Sequence, residues 1–201
     1  MARPVDPQRA AARREAIVSA AARLFAEHGF ESTTAAQIAR AAGISPGSVF
    51  YYFDGKRALF RAVFEQDLTQ VRELMERACA EPDPMSALLT VVDHLAADAM
   101  DPAASGLLVE LIRQVGQDEA LAAAVAENTA AVTDGLTRLI TRAVADGLVD
   151  PALRPDEAAR WIQTIVDGVY LSADPQHDPR PMLRLIVTRF LTPPSEKENN
   201  A

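Results

Sequence analysis

The sequence predicts an all-α protein: an N-terminal three-helix domain carrying a helix-turn-helix, joined by a long helix to a larger helical domain, about nine helices in all. Three observations predict this. Apolar residues recur at three- and four-residue spacing along most of the 201-residue chain, with little period-two alternation. Aromatics make up only 5% of a chain that is 49% apolar and rich in alanine, a composition suited to helix packed on helix. Proline, glycine and Asp/Asn clusters fall where helices of ordinary length should begin and end.

Asp6-Pro7 pairs an N-cap with proline at the first helical position, and Ile17, Ala21, Leu24 and Phe25 then recur at helical spacing up to Gly29. Thr34 to Gln37 has the form of a capping box, which opens a short helix ending at Gly43. Ser45-Pro46 starts another at once, running to about Tyr52, so two short helices are joined by a tight glycine turn. A long helix follows from Lys56 to about Ala80, with Leu59, Phe60, Val63, Phe64, Leu68, Val71, Leu74 and Met75 on its buried stripe. Glu81 to Pro84 ends it. Five more helices are expected, separated at Asp101-Pro102, near Gly116 to Asp118, at Gly147 to Pro155 and at Asp174 to Pro181. The last two span about 156–173 and 181–191, and the polar tail from Pro193 is expected to fray. The domain division read from this pattern is 1–55 and 56–201.

A formal charge of −8 argues against a nucleic-acid partner unless the charge is segregated, because phosphates repel an acidic surface. It is segregated: residues 1–60 hold 8 Lys/Arg against 5 Asp/Glu, and residues 61–201 hold 12 against 23. The single cysteine, Cys79, excludes an intrachain disulfide, and no stretch reaches the roughly 18 apolar residues of a membrane span. The opening MARPVDPQRA lacks the apolar core of a secretory signal, so a cytoplasmic protein without a membrane partner is expected.

The stretch TAAQIARAAGISPGSVFYYFDGKRALF, Thr34 to Phe60, resembles the N-terminal signature of TetR-family transcription regulators. That signature has a Thr cap, Ile-Ala, Ala-Gly-(Val/Ile)-Ser, x-Gly-x-(aliphatic)-Tyr-x-(His/Tyr)-Phe, then Lys and Leu. The resemblance implies a homodimeric DNA-binding regulator, by family habit a repressor, released from a palindromic double-stranded operator by a small-molecule effector, and not an enzyme. In such a reading Ile38, Ala39, Ala42, Ile44 and Val49 lock the two short helices together. Ser45, Pro46, Gly47, Ser48 and Tyr51 lie at the exposed end of the recognition helix, with Ser48 and Tyr51 the plausible readers of base edges. Tyr52 and Lys56 match the family's phosphate-binding positions, and Thr33 or Thr34 at a helix start adds backbone amides for another phosphate. The chain departs from the pattern at Phe50, where the family has Tyr, which removes one hydroxyl contact. Phe50 and Phe53 are assigned to the core. Arg3, Arg9, Arg13 and Arg14 form either a solvated face or an arm for the minor groove.

Gly43-Ile44-Ser45-Pro46-Gly47 also fits the Gly-x-Ser-x-Gly nucleophile elbow, a serine-hydrolase feature. Its context refuses that chemistry, since the preceding residues are helical in pattern and Pro46 has no N–H for an oxyanion. His28, His94 and His177 are scattered with no cysteine at ligand spacing, so neither metal nor cofactor is expected. The alternative to a DNA-binding regulator, ahead of any enzyme, is a helical scaffold or partner-binding protein that has lost operator binding, suggested by the acidic C-terminal part and by Phe50.

For the effector the sequence offers polar groups embedded in apolar runs: His94, Glu110, Arg113, Asn128, Gln163, Asp167 and Tyr170, with Trp161 beside them. Glu110 and Arg113, three apart, also suffice to pair with each other. For the dimer, Trp161, Ile162, Ile165, Val166, Val169 and Tyr170 make a stripe wider than one neighbouring helix need cover, and Leu183, Ile186, Val187 and Phe190 make a second. Pocket and dimer seam are not separated by this pattern.

Overall fold

The computed structural model describes residues 7–171, 174 and 176–193, without the side chains of residues 66–69. The caps and periods of the sequence are matched by nine α-helices among these residues: α1 Pro7–Ser32, α2 Ala35–Ala41, α3 Pro46–Tyr52, α4 Gly55–Ala80, α5 Pro84–Leu95, α6 Ala104–Val115, α7 Glu119–Ala145, α8 Pro155–Leu171 and α9 Arg180–Leu191. A single 3-10 turn, Ala97–Met100, follows α5. The expected N-cap Asp6, the side chain of Leu68 and the tail beyond Pro193 lie outside the described residues.

Local chemistry accounts for the boundaries. The Thr34 N–H donates to Gln37 Oε1 at 2.8 Å and the Gln37 N–H donates to Thr34 Oγ1 at 3.3 Å, so the capping box forms as read. Gly43 takes φ 67°, a left-handed turn that a side chain would strain. Asp83 Oδ1 accepts from the Met85 and Ser86 N–H groups and starts α5. Gly29, expected to end α1, has φ 80° and ψ 162° and breaks the helix there, but a further turn carries it to Ser32.

The chain divides into two compact units, Met1–Asp67 with Ser105–Ala124, and Leu68–Ala104 with Val125–Ala201. The boundary falls inside α4 and inside α7, so compactness follows a different line from the cut in chain order at residue 55. The reason is α6. It packs on α1 so closely that a Cβ at Gly106 would stand 2.5 Å from the Ala26 carbonyl oxygen.

In the first unit, Ile17, Ala21, Phe25, Ile38, Ala39, Val49, Phe53, Leu59 and Phe60 are buried. Phe25, Phe30 and Phe60 stack mutually with ring centroids 5.1–5.6 Å apart. Asp118 ties the far side: its Oδ1 accepts from the Leu121 N–H at 3.1 Å, and its Oδ2 meets Arg61 at 3.0 Å. The backbone bond from Leu121 is the leading cause that holds this carboxyl below its ordinary value, with Arg61 adding to it and burial opposing.

In the second unit, Leu88, Val91 and Val92 of α5, Leu136, Leu139 and Ile140 of α7, Ile162 and Val166 of α8, and Leu183 and Val187 of α9 form the core. The Arg142 guanidinium donates to the carbonyls of Cys79, Glu81 and Pro82, which satisfies the open end of α4. Arg184 on α9 pairs with Asp93 on α5 at 2.5 Å. No described helix is long and apolar enough to cross a membrane.

Candidate nucleic-acid interface

The site begins with the α2–α3 pair. Ile38, Ala39 and Val49 are buried, so the two short helices are held by their inner faces and the outer face of α3 is left to solvent. Along α3, Pro46, Gly47, Phe50 and Tyr51 are exposed, while Ser48 and Tyr52 are partly covered. These exposed positions repeat at three and four residues and form one face. Tyr51 is 72% exposed, and its ring meets that of Tyr52 edge to face at 5.1 Å. The hydroxyls of Ser45 and Ser48 bond to each other at 2.8 Å. Ser45 follows a helix and a turn, not the strand a nucleophile elbow requires.

One expectation for this unit, Phe50, is corrected, and Thr33 and Lys56 are found bonded within the unit. Phe50, expected in the core, is 60% exposed, because the side chains that face inward here are those of Val49 on α3 and Phe53 just after it. Thr33, expected to hold phosphate, is only 1% exposed, and its hydroxyl donates to the carbonyls of Gly29 and Leu24 at 2.8 and 3.1 Å. Thr34 remains exposed, with its side chain spent on the capping box. Lys56, expected on phosphate, donates from Nζ to the carbonyls of Phe30, Glu31 and Thr33 at 2.6, 3.1 and 3.1 Å. An ammonium has three donors, and these three acceptors use them. It also sits 4.4 Å from the centre of the Phe30 ring.

Lys56 therefore closes the C-terminal end of α1, where carbonyls lack helical partners and a cation is favoured. Lys56→Ala is expected to cost about 2 kcal/mol of stability, the scale of a hydrogen bond to a charged group. Thermal unfolding followed by circular dichroism measures it; an unchanged melting temperature would sink the capping role. Sequence spacing gave no signal for this bond, since its acceptors lie more than twenty residues away.

The effector candidates separate. Glu110 is buried in the first unit, where Gln114 Nε2 donates to its Oε1 at 2.8 Å and Arg113 lies 3.8 Å from its Oε2. The pairing reading of Glu110 and Arg113 holds, with Gln114 as the closer partner. His94 is exposed near the end of α5, not embedded. Trp161 is 61% exposed and lines no interior. Tyr170 donates its hydroxyl to the Leu95 carbonyl at 2.6 Å. Gln163 accepts from the Thr133 hydroxyl at 2.7 Å, which links α7 and α8. Asn128 keeps a buried Oδ1 with no hydrogen-bond partner. Asp167 is exposed, and partial desolvation by neighbouring protein raises its carboxyl above the ordinary value.

The dimer candidates divide as well. Ile162, Val166, Leu183 and Val187 lie in the subunit's own core and are not available to a second chain. Ile165, Val169 and Phe190 pack partly against that core, and Ile186 is exposed. The exposed apolar side chains of this pair of helices are Trp161, Leu171, Met182, Leu185 and Ile186, three of which the sequence pattern did not single out.

Residues 17–63 match the family described as bacterial regulatory proteins, tetR family, and residues 84–193 match that described as BetI-type transcriptional repressor, C-terminal. The HTH-type transcriptional repressor Rv1474c of Mycobacterium tuberculosis is 28% identical over 88% of this chain and 90% of its own length. The HTH-type transcriptional regulator AcrR of Shigella flexneri is 33% identical over 52% of this chain, which spans 50% of that relative. Among solved structures, a TetR transcription regulator from Haloarcula marismortui superposes with a TM-score of 0.75 at 24% identity, covering 90% of this chain and 97% of that one. The transcriptional regulator FadR from Bacillus subtilis in complex with stearoyl-CoA superposes with a TM-score of 0.72 at 22% identity, covering 88% and 98%.

Proposed function

We propose, from the premise that this chain belongs to the TetR family of bacterial transcriptional regulators, that it is a homodimeric repressor whose α3 enters the major groove of a palindromic operator. The observation that carries the reading is the outer face of α3, which presents Phe50 and Tyr51 to solvent from a rigid, capped helix pair. The positive excess of residues 1–60 favours phosphate around that helix. The regulatory role, in place of an enzymatic one, is supported by the family and by relatives named as repressors. A regulator of this kind works where the chromosome is, in the cytoplasm.

Tyr51 and Ser48 read base edges in this proposal, while Tyr52, beside them and partly covered, donates its phenol to a phosphate. Ser45, Pro46 and Gly47 approach the backbone of the duplex without bulk. The effector enters the second unit, where the unpaired buried Oδ1 of Asn128 and the carboxyl of Asp167 supply acceptors for a ligand that donates hydrogen bonds. Homodimerisation uses the exposed apolar faces of α8 and α9, and the effector shifts the population towards a dimer that cannot span both half-sites.

The test is a salt-dependent shift of promoter DNA from the protein's own genomic neighbourhood, repeated with candidate metabolites. Binding should fall linearly in log-log form as salt rises. The absence of any shift at low salt would defeat the DNA-binding proposal and favour a scaffold that has kept only the architecture. Tyr52→Phe should weaken binding to all duplexes by a similar factor, about tenfold for each charge-assisted hydrogen bond of roughly 1.5 kcal/mol. A change in sequence preference on the same substitution would contradict the phosphate assignment.

A further inference from the structure

The outward surface of α3 is chemically uneven. Pro46 has no N–H to offer and Gly47 no side chain, and a Cβ built at Gly47 would meet nothing within 4 Å. The Ser48 hydroxyl is engaged by Ser45. Beyond that hydroxyl pair, what this seven-residue helix presents outward is one phenol, Tyr51, and one bare phenyl ring, Phe50, 60% exposed. Phe50 stands three residues after Gly47 and four after Pro46, so it occupies the middle of the outward face. Neither its own core nor any described ring covers it. In the major groove the base edges offer hydrogen-bonding atoms and a single apolar feature, the 5-methyl group of thymine.

We propose that Phe50 is a specificity residue that packs its ring against the 5-methyl group of a thymine in each operator half-site. The inference rests on the DNA-binding reading above and deepens it. The ring then selects thymine where the helix places no hydrogen-bonding group. What is recognised is the methyl group, not the base pair. Covering one methyl group is worth about fourfold in affinity, and two half-sites compound to about fifteenfold. Cytosine at that position is disfavoured, and 5-methylcytosine recovers part of the loss because it returns the methyl to the same edge of the groove.

The experiment uses the full-length protein and a duplex selected from a random-sequence pool. Each thymine is replaced in turn by deoxyuridine, which removes only the methyl group. The expected result is one symmetry-related position per half-site where deoxyuridine weakens binding about fourfold. Phe50→Ala should bind the thymine and deoxyuridine duplexes equally, whereas Phe50→Leu, which keeps an apolar side chain, should retain part of the difference. Wild-type binding indifferent to every methyl group overturns the inference while leaving the DNA-binding reading intact. A methyl dependence undiminished in Phe50→Ala overturns it too and moves the contact to Tyr51. A pool that yields no bound duplex at all defeats the DNA-binding reading and the inference together.

Discussion

Trp161→Glu is expected to convert the protein into folded monomers that no longer bind operator DNA. Trp161 is 61% exposed on α8, and Leu171 of that helix and Met182, Leu185 and Ile186 of α9 are likewise exposed apolar side chains. Exposed apolar area of this kind on one pair of helices is the mark of an interface. Because a two-fold interface is self-complementary, one substitution plants two carboxylates in the seam. Burying an uncompensated charge costs about 3 kcal/mol or more, which weakens association at least a hundredfold. The same substitution leaves the subunit folded, since Trp161 lies outside its buried core. Leu185→Glu should behave alike. Val166→Glu should not: Val166 lies within the subunit core, so a carboxylate there unfolds the chain. Sedimentation velocity together with circular dichroism separates the two results. A Trp161→Glu protein that sediments as the wild-type dimer, or a wild type that is monomeric at micromolar concentration, would refute the proposed seam and the palindromic operator with it.

Gly106→Val is expected to destabilise the first unit severely. A Cβ at this position would lie 2.5 Å from the Ala26 carbonyl oxygen, 3.2 Å from its carbonyl carbon and 3.3 Å from its Cα. All three are backbone atoms of α1, so no rotamer change relieves the overlap and α6 must move away from α1. Overpacking against side chains costs about 1–3 kcal/mol, and a rigid backbone neighbour puts this case at the upper end or beyond. The consequences spread along α6. Glu110, buried one turn further on, sits 3.3 Å from where a Cβ on Gly29 would stand, so its carboxylate loses the cover of α1. Gly116→Ala is the control, since nothing lies within 4 Å of the added atom. Chemical denaturation should show a lowered midpoint for Gly106→Val and an unchanged one for Gly116→Ala. Equal midpoints for wild type and Gly106→Val would mean that the α1–α6 contact is not as close as described.

Both predictions lie at places where the sequence alone was silent or ambiguous. Its punctuation was legible because it is local. Thr34 and Gln37 meet through one turn of helix, Asp83 bonds the N–H groups two and three residues on, and proline and glycine act on their own backbone angles. Hence the order and approximate bounds of the helices, and the helix-turn-helix from Ala35 to Tyr52, followed from residues in a line. Partner choice did not, because it depends on residues distant in the chain. The stripe on α8 was read as wider than one neighbour could cover, yet all of it but Trp161 lies in or against the subunit's own core. Only the packed structure assigns Ile162 and Val166 to α8's own core and turns Trp161 away from it. Lys56 carried the pattern of a phosphate ligand, but tertiary packing brought the end of α1 within reach and gave its ammonium three carbonyls. Phe50 read as core by composition and is exposed by geometry, since a seven-residue helix pinned through Val49 must turn the next side chain outward. Periodicity and capping are set within a few residues by backbone geometry. Which face meets which neighbour is a competition among all apolar surfaces at once, and only the folded chain decides it.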